Sequence, residues 1–323
     1  MSGTAAPWIA ASKPQRVNML LKVATRQSAA GLMVIATLLF AFMGVCVKKA
    51  SLEVSTGELV FFRGLVGVVM MALLAWSRQL SLATSVPGLH LWRGFAGVTA
   101  LSLWFYAIGH MPLATAVTLN YMSSVWMAVF LGLRVLWQRW HGLPGKGIPA
   151  SLMFAVAVGF AGVALVLRPT LQHDQWLDGL IGIASGMLAA WAYLQVASLG
   201  RAGEPEHRVV FYFSLFGAIS GLLITGATAS LGQVAWHQPS PMAWVWLVGV
   251  GAFATLAQLA MTRAYNHGHA LVMASLQYLG IAHAFVLGVW VFGDPVNPWS
   301  LLGMALIVLA GIAATRSSAV IKD

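Results

Sequence analysis

Long stretches without a single charge decide what this chain can become. Residues 27–47, 94–133, 147–167, 179–200, 209–262, 264–293 and 295–315 contain no Lys, Arg, Asp or Glu. A charge at mid-bilayer costs about 2.5 kcal/mol or more, and about 20 apolar residues cross the hydrocarbon core, so these runs are read as membrane-spanning helices. The 94–133 run is broken at Gly109-His110-Met111-Pro112, and the 209–262 run at His237-Gln238-Pro239-Ser240-Pro241; both breaks read as turns between helices. A further span over 57–76 carries one internal charge, Arg63. The expected fold is an all-α membrane protein with ten transmembrane helices. Composition excludes a water-soluble globule: 59% of residues are hydrophobic and 8% charged, against about 25% charged in a soluble domain.

The net charge of +10 does not point to nucleic acid, because the cations are spread over the segments between apolar runs. They report topology instead. With the N-terminus inside, the cytoplasmic segments hold Lys13, Arg16, Lys22, Arg26, Arg78, Arg93, Arg134, Arg139, Lys146, Arg201, Arg208, Arg263, Arg316 and Lys322. The opposite side holds Lys48, Lys49 and Arg168, with Glu53, Glu58, Asp174, Asp178 and Asp294. Both termini are therefore expected in the cytoplasm. Residues 1–28 read as a basic tail, either loosely ordered or resting on anionic lipid, without the apolar core of a signal peptide, and 316–323 as a second short tail. Cys46 is the one cysteine and reads as a small apolar helix residue.

Sliding one half of the chain over the other exposes a repeat. Gly31-Leu32 and Ile35-Ala36 fall on Gly179-Leu180 and Ile183-Ala184; Val60-Phe61, Leu65 and Gly67 fall on Val210-Phe211, Leu215 and Gly217. Leu119-Asn120-Tyr121 falls on Leu276-Gln277-Tyr278, and Ala161-Gly162-Val163 on Ala310-Gly311-Ile312. The repeats run over 29–168 and 179–315, with five spans each. An odd number of spans makes the second repeat enter the bilayer in the opposite direction. Inverted repeats form two related arrangements facing opposite sides, with the central site near the midplane.

The two five-span repeats, the Phe61-Phe62-Arg63-Gly64 segment and the turn Met111-Pro112-Leu113-Ala114-Thr115-Ala116 resemble the EamA-type transporters of the drug/metabolite transporter superfamily. The resemblance covers about 30 to 315. It implies a secondary carrier of the bacterial cytoplasmic membrane, monomeric or homodimeric, that uses no ATP, metal or other cofactor. Its cargo would be a small organic metabolite, amino-acid-like, vitamin-like or nucleotide-like. Many relatives carry a proline in the fourth span, where this chain reads Tyr121-Met122-Ser123-Ser124, so a straighter helix is expected there.

Polar groups at membrane depth each need a partner, a water or a ligand, and they supply the candidate substrate contacts. Asn120, Ser123 and Ser124 form one polar stripe on the fourth span. Gln277 and Tyr278 are their counterparts in the ninth. Trp191 and Gln195 share a face of the sixth, and Trp104 adds an aromatic wall from the third. Arg63 either holds helices together or grips a substrate carboxylate or phosphate. His283, the one histidine well inside a span, is either hydrogen-bonded to a neighbouring helix or the proton-coupling group. Gly182/Gly186 and Gly217/Gly221 are GxxxG pairs, a signal of close helix packing. The rival readings are an integral-membrane enzyme acting on a lipid-linked substrate and a scaffold that transports nothing. No P-loop, HExxH or GxSxG motif supports the first, and His267-Gly268-His269 reads as a polar turn.

Overall fold

The computed structural model describes residues 13–142, 150–172, 176–231, 236–267, 273 and 276–322, and among these every regular element is helical. The elements are α1 (Lys13–Ala50), α2 (Thr56–Ser77), α3 (Pro87–His110), α4 (Leu113–Tyr121), α5 (Ser123–Trp140), α6 (Ala150–Gln172), α7 (Trp176–Arg201), α8 (Glu206–Ser230), α9 (Pro241–His267), α10 (Leu279–Phe292) and α11 (Pro298–Lys322). Among the described residues six helices are long and apolar enough to cross a membrane: 29–50, Thr56–Ser77, Leu113–Trp140, Trp176–Arg201, Glu206–Ser230 and Pro241–His267. Shorter apolar stretches cover Leu279–Phe292 and Pro298–Ala310.

Several boundaries differ from expectation. The basic tail is helical from Lys13 and continues into α1, because Met19-Leu20-Leu21-Lys22-Val23-Ala24 is made of helix-forming side chains. The C-terminal tail likewise extends α11 to Lys322. Helix α6 runs on to Gln172, past the end of the charge-free run at Leu167. Helix α3 starts at Pro87 rather than after Arg93, with proline in the first turn, where its missing N–H costs nothing. The fourth span is interrupted despite having no proline. Met122, with ψ at −10°, separates α4 from α5, and its N–H is shared between the carbonyls of Thr118 (3.1 Å) and Leu119 (3.3 Å). Tyr278, with ψ at −19°, stands in the same relation to α10.

Helices pack in antiparallel pairs. α1 lies along α9, α2 along α8, α3 along α7 and α6 along α11. Glycine decides how closely: a methyl on Gly64 would overlap the backbone of Ala218, and one on Gly221 the backbone of Phe61. Both GxxxG pairs thus sit at close crossings, Gly217 and Gly221 against α2, Gly182 and Gly186 against α4. Apolar side chains such as Leu223, Val248 and Trp290 are exposed, whereas Arg63, Arg93, Asn120 and Gln258 are buried. That is the reverse of a water-soluble globule and the arrangement that lipid demands.

Candidate functional site

A central cavity of about 500 Å³, counting the part open to solvent, lies where α1, α2, α3, α4, α7, α8 and α9 converge. Phe40 and Met43 enter from α1, Arg63 from α2, Arg93, Gly97, Ala100, Leu101 and Trp104 from α3, and Asn120 and Tyr121 from α4. Ala189, Ala192 and Tyr193 come from α7, Phe213 from α8 and Gln258 from α9.

Close helix crossings put these groups in place. Because Gly64 lets α2 touch α8, Arg63 reaches Phe213, with its guanidinium carbon 4.6 Å from the ring centroid. Arg93 approaches the same ring to 4.0 Å. Gly97 makes room for it, since Nη1 of Arg93 occupies the space a Cβ would fill. Arg63 and Arg93 are 2% and 3% exposed, and Nε and Nη1 of each have no hydrogen-bond partner among the described residues. Among the described residues no acid lines the cavity. Glu58 is turned to Ser55 and His237, Glu204 to Thr84 and His90, and Asp294 to Lys48.

Asn120 is placed by the α7 glycines. A Cβ on Gly186 would meet the backbone of Leu119 and Asn120, so α4 lies directly against α7. The Asn120 amide donates to Ser185 Oγ at 3.2 Å, and that hydroxyl donates to the Gly182 carbonyl at 2.8 Å. Trp104 is buried in the wall with no partner for Nε1 among the described residues, and packs edge-on to Phe40 at 6.5 Å.

Of the residues singled out in the sequence, Arg63, Trp104 and Asn120 meet in this cavity. Ser123 is buried at the α4–α5 junction outside the wall, and the side chain of Ser124 lies outside the described residues. Gln277 is buried against α9, its amide donating to Met261 Sδ at 3.6 Å, and Tyr278 is buried beside it in sequence but likewise outside the wall. Trp191, 39% exposed, pairs with Trp92 at 5.9 Å on the outer surface, and Gln195 follows it one turn later. The opposite face of α7, bearing Ala189, Ala192 and Tyr193, supplies the wall, because small side chains admit the neighbouring helices. His283 is half-buried between α10 and α1, its Nδ1 3.5 Å from Thr37 Oγ1. Gly268 and His269 of the polar turn lie outside the described residues.

Charge counting assigns Arg93 to a cytoplasmic loop. The structure corrects that: it is a helical, buried cavity residue. Pro87, a proline suited to a helix start, is the signal that would have drawn Arg93 into the span. Phe213, Tyr193 and Gln258 were also missed, each standing in an apolar run with no contrast to mark its inward face.

No protein-family model matches the sequence. The chain is 30% identical over 293 residues to the pseudopaline exporter of Pseudomonas aeruginosa, a match covering 88% of this chain and 95% of that protein. It is 27% identical over 286 residues to the riboflavin transporter of Vibrio cholerae, covering 86% and 89%. A solved crystal structure of a protein with 18% identity superposes with a TM-score of 0.62 over 92% of this chain and 100% of that one, which shows a shared fold. On the strength of the first of these likenesses, the chain belongs to the drug/metabolite transporter family of multi-pass membrane transporters.

Proposed function

We propose that the chain is an EamA-type secondary carrier with ten transmembrane helices in two inverted repeats, 29–168 and 179–315. It moves a small organic metabolite across a bacterial cytoplasmic membrane by alternating access, with both termini in the cytoplasm. The observation that carries the reading is the cavity. Its walls come from α1 to α4 of one repeat and α7 to α9 of the other, and it shelters polar groups that lipid would not tolerate.

Packing supports the inverted repeat. Exchanging the first five spans with the last five turns the α1–α9 pair into α7–α3 and the α1–α10 contact into α7–α4, while α2–α8 and α6–α11 map onto themselves. The two ends of the α2–α8 pair are laced alike. At one end Glu58 and Glu53 bind His237 and Ser240, and at the other Glu204, Arg208 and Tyr212 bind Thr84, Ser81 and Leu82. The names of the relatives, an exporter of pseudopaline and a transporter of riboflavin, support a small organic cargo. Within this reading Arg63, Trp104 and Asn120 contact the substrate, joined by Arg93, Tyr193 and Gln258.

The test is flux through the purified protein in sealed liposomes loaded with a defined mixture of amino acids, vitamins and nucleotides, followed by mass spectrometry of both compartments. A carrier releases at least one solute chemically unchanged and faster than protein-free vesicles do. Conversion of a solute by the protein in detergent, or no release of any, would overturn the proposal.

A further inference from the structure

The cavity holds more positive charge than a neutral substrate can use. Arg63 and Arg93 lie on the same Phe213 ring, both nearly sealed from solvent, and each keeps Nε and Nη1 unpartnered. The ring's negative face offsets part of this charge but accepts no hydrogen bond along the guanidinium edge. Arginine does not shed its proton at physiological pH, so neutralising the pair by deprotonation is closed. One further donor at the site points the same way. Trp104 Nε1 is buried with no acceptor, while the Asn120 amide is already engaged by Ser185.

The geometry points to a substrate that is an organic dianion, gripped through carboxylate or phosphate oxygens by Arg63 and Arg93, with Trp104 Nε1 as a further donor and its apolar body against Phe40. This rests on the carrier reading and deepens it by naming the cargo's charge. The planar fork of each guanidinium matches the paired oxygens of such groups, which an ammonium or amide does not. A dianion also balances the charge of the site, so that the loaded cavity, which must change its access between two aqueous sides, no longer carries two bare cations through a low-dielectric interior.

The experiment uses the full chain in detergent with phthalate, phenyl phosphate, phthalamide and benzylamine as probes. Thermal unfolding reports whether each is bound, since a ligand of the folded form raises the apparent Tm by mass action. The expected result is stabilisation by phthalate, by phenyl phosphate or by both, and none by the neutral diamide or the amine; the two anions distinguish a carboxylate from a phosphate cargo. Arg63→Gln and Arg93→Gln should each weaken anion binding at least about tenfold. Arg93→Lys keeps the charge without the fork and should lose less than Arg93→Gln, which maintains the test if a glutamine variant fails to fold. Stabilisation by the diamide or amine alone, stabilisation by none of the four, or anion binding that all the arginine variants leave unchanged would overturn the inference. Flux in liposomes separates it from the carrier reading. An anion that binds through both arginines without crossing sinks the carrier and spares the anion site, whereas a neutral solute that crosses equally well in Arg63→Gln and Arg93→Gln protein does the reverse.

Discussion

Lys48 and Asp294, 246 positions apart in the chain, form an ion pair of 2.9 Å that joins the end of α1 to the segment after α10. The second carboxylate oxygen of Asp294 accepts from the Leu113 N–H at 2.9 Å, the first amide of α4. One side chain therefore ties three helices together at one end of the molecule, and it satisfies a helix-terminal donor that has no partner within its own helix. The cation count expects all three segments on one side of the membrane, and the contact brings them to one end of the molecule.

Replacing Asp294 with alanine strands both the ammonium and the amide. Hydrogen bonds to charged groups contribute about 1.5–3 kcal/mol, so Asp294→Ala should lower the apparent Tm in detergent by several degrees. Asp294→Asn, which still accepts from Leu113, should lose less, and its deficit should shrink as salt screens the wild-type pair. Equal unfolding temperatures for wild type and Asp294→Ala would refute the tie.

The α2–α8 crossing makes a prediction about glycine that turns on space alone. A methyl at Gly64 would overlap the backbone of Ala218 and Ser214, whereas one at Gly31 meets nothing within 4 Å. Overpacking costs about 1–3 kcal/mol, while relieving a helical glycine gains up to about 1 kcal/mol. Gly64→Ala should therefore destabilise the protein and Gly31→Ala should not, as read by thermal unfolding of the two variants side by side. The reverse order would mean that the crossing is looser than these contacts require.

Much of this architecture is readable in the sequence because lipid imposes one rule everywhere, and the charge-free runs obey it. The turn at Gly109-His110-Met111-Pro112 and the break before Pro241 fall where α3 meets α4 and where α9 begins. The site is harder to read for the same reason. Counting between charges makes every charge a boundary, so a cation deep in a helix disappears into a loop, as Arg93 does. Arg63 escaped only because the apolar run on its other side was too long to discard. The uniform apolar character of α7 and α9 also removes the contrast between faces from which orientation is normally inferred. On α7 the polar-looking face of Trp191 and Gln195 lies outside the cavity, and the face of alanines carries Tyr193 inward. The Met122 break has no residue signature of the kind proline gives, and its shared hydrogen bond becomes visible only in the folded chain.

His283 provides a test of position against chemistry. It is not part of the cavity wall, and its one described polar neighbour is Thr37 at 3.5 Å. Substrate affinity at the central site should therefore stay within about twofold in His283→Gln, because a group outside the wall contributes no direct hydrogen bond there. Ligand-induced stabilisation measured on both proteins checks this. A tenfold loss would bring His283 into the binding machinery. Separately, if His283 couples transport to protons, flux in His283→Gln vesicles loses its response to an imposed pH gradient; an unchanged response removes that role.

Gly97→Ala disables the site without replacing any group that binds. Gly97 stands one turn after Arg93 on α3, and Nη1 of Arg93 occupies the volume that a Cβ at Gly97 would claim, with the Phe213 ring closing the other side. Gly97→Ala must therefore push the guanidinium away from the ring it shares with Arg63. The methyl meets the far end of a flexible side chain and the edge of a ring rather than backbone, so the variant should fold, and its apparent Tm without ligand should change far less than that of Gly64→Ala. Anion binding should fall at least as far as in Arg93→Lys, because an arginine held in the wrong place keeps its charge and loses its aim. A Gly97→Ala protein that folds and binds anions as wild type does would show that the position of Arg93 against Phe213 is unimportant to the site, and the two-arginine grip would have to be abandoned.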